Sequence, residues 1–283
     1  MNNIYSYNNF GKILTEFSLL ELCIFVILFL SIGSFVSTLI YRFSPENNLS
    51  LYKLFIERSN CDQCKSQINL YHLIPIFGYI FQVGKCKKCN HKISIFYPIT
   101  EIFFCLLGIG IIYAYGLSIF SAYLIILSIG FYTLFFLDFK YLYLPLSINL
   151  SIFLIGFSGN VFFSFSLDET ITFFNLSPIT FSLSGFLIGY SFLFITNFLY
   201  KKISTENGIG GGDFILFGGI GSIFGPFSLG PILFISSLTG IIFHIAKKGK
   251  NSTEIPFGSF LILGSVIYFF IKRYELLNNY LVI

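Results

Sequence analysis

Residues 117–140 read LSIFSAYLIILSIGFYTLFFLDFK, and no charge interrupts the run before Asp138 closes it. A hydrocarbon core of about 30 Å needs about 20 apolar residues in helical form. The stretch is therefore read as a transmembrane helix over 118–138 that ends on a carboxylate. Similar runs lie on both sides, near 19–41, 99–116, 143–165, 179–200, 212–226, 229–246 and 256–272. The composition agrees: 55% of residues are hydrophobic and 11% charged, where a soluble domain carries about 25% charged residues. The expected fold is an all-α polytopic membrane protein of about eight helices, most of its surface facing lipid. The first run is longer than a secretory h-region and no small-residue cleavage site follows, so it reads as a retained span.

One segment breaks the pattern. Residues 42–98 are polar and basic and hold four of the six cysteines. Polarity therefore divides the chain into 1–41 (N-terminal segment and first helix), 42–98 (an extramembrane loop) and 99–283 (a seven-helix membrane domain). Lysine and arginine placement tests this independently. Fourteen of the 17 fall in the 42–98 loop and in the connections near 138–143, 200–212 and 246–256. The alternate connections have none, and Lys12, Lys272 and Arg273 lie on the termini. The positive-inside rule makes the charged side cytoplasmic. No internal repeat or heptad run is present. Spacings such as Gly218/Ser222 and Gly221/Gly225 read as helix-packing surfaces.

Carboxylates inside apolar runs are costly and mark function by default. Four of the 13 acids sit at or within such runs: Glu21, Glu101, Asp138 and Asp213. Glu21 and Glu101 lie near helix starts and are read as reaching the interface. Asp138 and Asp213 are expected at the cytoplasmic ends of their helices, at one depth, where they can meet. Two adjacent carboxyls share one proton because both cannot ionise cheaply. One then takes a proton from water and the other donates to the developing oxyanion, which is peptide hydrolysis without a covalent intermediate. The glycines before Asp213 (Gly208, Gly210, Gly211 and Gly212) have no side chains and can reach positive φ freely, so a substrate backbone or the helix carrying Asp138 is expected to approach closely there. No phosphate-loop lysine or dinucleotide-binding strand accompanies them, so no nucleotide or nucleic-acid partner is expected. Helix-capping aspartates that never meet remain the alternative.

The cysteines Cys61-x-x-Cys64 and Cys86-x-x-Cys89 are separated by residues 65–85, near zinc-ribbon spacing. Four thiolates complete a closed structural site, so zinc is the expected metal. An iron–sulfur site or a redox dithiol is the alternative. His91 is read as a solvated loop residue, and Cys23 and Cys105 as small hydrophobes.

Taken in order, these residues resemble the type IV prepilin peptidase family. The resemblance rests on Gly33-Ser34-Phe35 with Ile40-Tyr41-Arg42, the two CxxC pairs with Leu73-Ile74-Pro75 between them, and Tyr97-Pro98-Ile99. It continues in Asp138 followed by Pro145, Gly210 to Asp213 as a GxGD motif, and Ile255-Pro256-Phe257-Gly258. It runs from about residue 33 to residue 264. It implies a bacterial inner-membrane aspartyl protease with active site and zinc loop facing the cytoplasm. Such an enzyme cuts prepilins or pseudopilins after a glycine ending a basic leader, for a pilus or type II secretion. It also implies that the new N-terminus is methylated with S-adenosylmethionine, that Asp138 and Asp213 are catalytic, and that Cys61, Cys64, Cys86 and Cys89 hold zinc. Two positions depart from the family pattern: Leu146 stands where an aspartate usually follows the proline, and Ile215 where a lysine often follows the GxGD aspartate. The residues alone name no S-adenosylmethionine contact. They also leave two other functions open: a transporter using the same aspartates, or an inactive pilin-binding scaffold.

Overall fold

A computed structural model describes residues 17–46, 58–61, 63–165, 176–204, 208–247 and 255–273. Of the loop cations counted above, Lys53, Lys248 and Lys250 lie outside the described residues, as does Lys12. The chain divides into two compact units, residues 1–129 and 130–283, with the boundary inside one helix. This division follows packing, whereas the three segments above follow polarity.

The first unit begins with α1 (Leu19–Phe43). Ser18 and Glu21 form a capping box: the Ser18 hydroxyl receives the Glu21 N–H, and the Glu21 carboxylate receives the Ser18 N–H at 2.7 Å. Glu21 is exposed, in keeping with an interfacial acid. A 3₁₀ turn (Leu70–Leu73) and the short α2 (Phe77–Phe81) follow within the loop. Next come α3 (Phe96–Tyr115) and α4 (Ile119–Tyr141), the latter crossing the boundary between units. Helices α1 and α3 pack on each other. Gly33 makes this possible, since a Cβ there would sit 2.6 Å from the Glu101 Cα.

The second unit comprises the end of α4 with α5 (Leu146–Phe163), α6 (Pro178–Ser204), α7 (Gly211–Phe224), α8 (Leu229–Ala246) and α9 (Phe257–Arg273). Among the described residues, six helices are long and apolar enough to cross a membrane. These are α1, α3, α4, α5, α6 and α8 with its preceding turn; the chain is a multi-pass membrane protein. The other two of the eight expected spans are shorter. Helix α7 has 14 residues, about 21 Å at 1.5 Å per residue, and α9 has 17.

Helix α7 is buried almost throughout, from Asp213 to Phe224. Glycines let its neighbours close on it. A Cβ at Gly185 of α6 would fall on the Gly221 carbonyl oxygen, and one at Gly221 on that of Gly185. Gly189 repeats this one turn along, 2.8 Å from the Phe217 carbonyl oxygen. These are the small-residue contacts of helices packed in lipid. Asn160 on α5 adds a polar clamp. Its Nδ2 lies 2.8 Å from the Ser222 carbonyl oxygen, 3.0 Å from that of Ile223, and 3.0 Å from the Ser182 hydroxyl of α6. Replacing Asn160 by Leu is expected to cost about 1–2 kcal/mol. A thermal-denaturation midpoint several degrees lower in detergent checks it.

Candidate active site and metal centre

Asp138 lies in the last turn of α4, which continues to Tyr141 rather than ending at the aspartate. The chain then turns through Leu142, a non-glycine residue at φ +52°, to the buried Pro145 that precedes α5. Asp213 is the third residue of α7, in the first turn where the helix dipole favours an acid. Both are buried, 5% and 8% exposed. The third element is the start of α9, where Pro256-Phe257-Gly258-Ser259 leads the chain past both carboxyls. An ideal Cβ on Gly258 would lie 2.9 Å from Asp213 Oδ1 and 3.2 Å from Asp138 Cγ. The two acids therefore border one small volume over the Gly258 backbone.

Their hydrogen bonding differs. Asp138 Oδ2 accepts the Ser259 N–H at 2.6 Å and lies 2.9 Å from the Ser259 hydroxyl. That hydroxyl is also 2.9 Å from the Phe135 carbonyl oxygen, so its single proton has two acceptors. Asp213 Oδ1 is buried with no hydrogen-bond partner. Two carboxyls so placed can share a proton and perform acid–base chemistry on a third group between them.

The glycine run admits close approach without using its conformational freedom. None of Gly208, Gly210, Gly211 or Gly212 adopts a positive φ, and Gly210 at φ −68°, ψ 145° is ordinary extended backbone. Their contribution is space. A Cβ on Gly212 would meet Leu144 at 2.7 Å, and one on Gly208 the Tyr200 ring at 2.8 Å, while Gly211 faces open space. Two asparagines hold the run. Asn197 Oδ1 accepts the N–H groups of Gly208 and Ile209 at 2.9 and 3.0 Å. Asn149 Nδ2 donates to the Gly212 carbonyl oxygen at 3.1 Å. Sequence reading passed over Asn149, Asn197 and Ser259. The available signals were slight: an amide inside an apolar helix, and a serine directly after the Gly258 motif.

The four cysteines of the first unit converge. All four sulfurs lie within 4.8 Å of one another, with Cys61 Sγ 3.8 Å from Cys89 Sγ and Cys64 Sγ 4.0 Å from Cys86 Sγ. A tetrahedral ion bound by thiolates at about 2.3 Å sets sulfurs roughly 3.8 Å apart, so the set fits zinc. The two halves are built alike. In each, the first cysteine's carbonyl accepts the N–H four residues on, at 2.9 Å, from Lys65 or Asn90, both at positive φ. In each, the first cysteine's N–H donates to the carbonyl five residues on, Ser66 or His91, at 2.9 Å. The Ser66 hydroxyl, 3.1 Å from Cys64 Sγ, holds that thiol down to about 6, toward the thiolate a metal needs. The His91 side chain is exposed, as expected of a solvated residue.

Glu101 departs from its reading as an interfacial acid. It is 6% exposed, and its Oε2 accepts the Ile76 N–H at 2.7 Å.

Comparison with known proteins follows the same two halves. The family profile described as "Bacterial Peptidase A24 N-terminal domain" matches residues 27–115, and that of the "Type IV leader peptidase family" matches 124–245. A prepilin leader peptidase/N-methyltransferase of Neisseria gonorrhoeae is 30% identical over 262 residues, covering 86% of this chain and 88% of that protein. The Vibrio cholerae protein of the same name is 29% identical, over 89% and 97% of the two chains. That of Pseudomonas aeruginosa is 26% identical, over 86% and 87%. No solved structure matches the chain.

Proposed function

Because the chain belongs to the type IV prepilin peptidase family, we propose that Asp138 and Asp213 are the catalytic pair of a membrane aspartyl endopeptidase. The protein is an enzyme of the prepilin leader peptidase/N-methyltransferase class. Its substrates are prepilins or pseudopilins, cut after the glycine that ends a basic leader, at the cytoplasmic face of the bacterial inner membrane. The new N-terminus is then methylated with S-adenosylmethionine. The observation that carries the proteolytic reading is the convergence of both carboxyls on Gly258.

The hydrogen bonding supports a division of labour. Asp138, whose Oδ2 accepts the Ser259 N–H and competes with the Phe135 carbonyl for the Ser259 hydroxyl proton, suits the carboxylate that takes a proton from the attacking water. Asp213, with an unpartnered Oδ1, suits the neutral carboxyl that donates to the carbonyl oxygen of the scissile bond. Asn149 and Asn197 position the Gly208–Gly212 backbone, and Pro145 sets the start of α5 beside it. Cys61, Cys64, Cys86 and Cys89 hold zinc, whose role is to fold the loop rather than to take part in cleavage. The cation bias of the connecting loops supports a cytoplasmic site. Leu146 is 57% exposed.

Incubating the protein in lipid nanodiscs with a prepilin bearing Gly at −1 tests the reading. Mass spectrometry should find a product beginning at +1, heavier by one methyl group when S-adenosylmethionine is present. A precursor left whole by folded, zinc-loaded protein would contradict it. Gly258→Ala should lower the cleavage rate at least about 100-fold, because its methyl group occupies the space between the carboxyls. The same assay measures that loss.

A further inference from the structure

Between its two cysteine pairs, the loop of the first unit carries a stretch unlike the rest of it. Leu70, Tyr71, Phe77, Ile80, Phe81 and Val83 are between 54% and 82% exposed, and none belongs to a membrane-spanning helix. Large apolar side chains gathered outside the spans mark a surface that something covers.

The ridge is built, not frayed. Phe77, Ile80 and Phe81 stand three and four residues apart on α2 and so share one face, where the Phe77 and Phe81 rings stack at 6.2 Å. The other face is tied to the 3₁₀ turn behind it. Gly78 is buried, a Cβ there would fall on the His72 carbonyl oxygen, and Gln82 Nε2 donates to the Gly78 carbonyl oxygen at 2.9 Å.

The ridge is also pinned to the start of α3. Ile76, just before α2, sits at φ +61°, where a β-branched residue is strained, and its N–H donates to Glu101 Oε2 at 2.7 Å. Glu101 lies about 8 Å along α3 from its first residue. At the other end, the Gly84 carbonyl oxygen accepts the Ile93 N–H at 2.8 Å. Ile93 is three residues before α3, at most about 11 Å of chain. Because α3 is long and apolar enough to cross the membrane, the ridge is held where that helix meets the water.

Charge identifies what covers it. Arg58, Lys65, Lys85, Lys87, Lys88 and Lys92 are all exposed, and Asp62 is the one acid between residues 58 and 95. Zinc on four thiolates would keep two negative charges, so the module stays cationic. Such a surface repels a basic leader and is drawn to acidic phospholipid headgroups. We propose that Leu70–Val83 lies in the interface of the bilayer, with its apolar ridge among the upper acyl chains and the module's cations at headgroup level. An apolar face flanked by lysines and arginines lies this way, sunk about 5–10 Å into the headgroup and acyl boundary, and Tyr71 is a residue type favoured there. The module is then docked on the membrane as well as tethered to it, whatever the roles of Asp138 and Asp213.

The chain has no Trp, so an introduced one reports alone. Leu70→Trp and Phe81→Trp replace exposed side chains and spare the fold, which wild-type elution volume and zinc content check. Each full-length, zinc-loaded variant is placed in nanodiscs of phosphatidylcholine and phosphatidylglycerol, with and without bromine on the upper acyl carbons. Bromine should remove at least about a third of the fluorescence of both, since it quenches only on contact within the lipid. A smaller loss in both variants would overturn the proposal, and iodide added to the water would then say why. Strong iodide quenching would put the ridge in water, and weak quenching would put it under a protein surface, either a second copy of this chain or a prepilin.

Discussion

Asp138→Asn and Asp213→Asn should each lower leader cleavage by about four orders of magnitude while leaving the protein folded in the membrane. The size follows from the role: a positioned acid or base contributes about 10²–10⁴, and a pair acting as a unit loses nearly everything with either member. The expected retention of fold follows from the contacts. An asparagine at 138 still presents a carbonyl oxygen to the Ser259 N–H and hydroxyl, the bonds that join α4 to α9. At 213 the amide is isosteric, and α7 remains gripped through Gly185, Gly189 and Asn160. Elution profile and thermal midpoint near wild type, with uncut prepilin, is the expected result. A transport role for the two aspartates predicts instead that processing continues.

Removing the metal should have the other large effect. The 58–93 module holds no sheet among its described residues, only the two single bridges Asn60–Gln67 and Lys85–Lys92. On the proposed zinc reading, its organisation rests on the four sulfurs sharing an ion. Structural zinc contributes about 10–16 kcal/mol in small zinc modules, more than such a segment gains from its own packing. A strong chelator, or Cys61→Ser together with Cys89→Ser, should abolish the one zinc expected per chain. It should also open the module to trypsin at Lys65, Lys85, Lys87, Lys88 and Lys92. Elemental analysis and timed digestion read the two effects. Protection unchanged after complete loss of zinc would sink the structural role.

What could be read from the chain alone was what repeats locally. Hydropathy placed the eight helices to within a few residues, and the CxxC spacing marked the four sulfurs that converge. The chain could also say which two acids were out of place. It could not say what holds them, because those partners are distant: Ser259 is 121 residues from Asp138, and Asn160 is 62 from Ser222. Glu101 was misjudged for the same reason. Its place near a helix start suggested the interface, but a backbone N–H from the strained turn at Ile76, 25 residues earlier, reaches it. The glycine run was read as a place of close approach, but the chain could not name the neighbour; at Gly212 it is Leu144, 68 residues earlier. The bounds of α7 were legible, but not that its 14 residues are buried almost throughout among neighbouring helices.

The central claim is that Asp138 and Asp213 act as one unit. Single-turnover cleavage of a prepilin peptide by wild type, both single Asn variants and the double variant tests it most directly. The account predicts that all three variants fall to the same residual rate, the double no slower than either single. A single variant that keeps a tenth of the wild-type rate, or a double variant that loses the product of the two single losses, would contradict it.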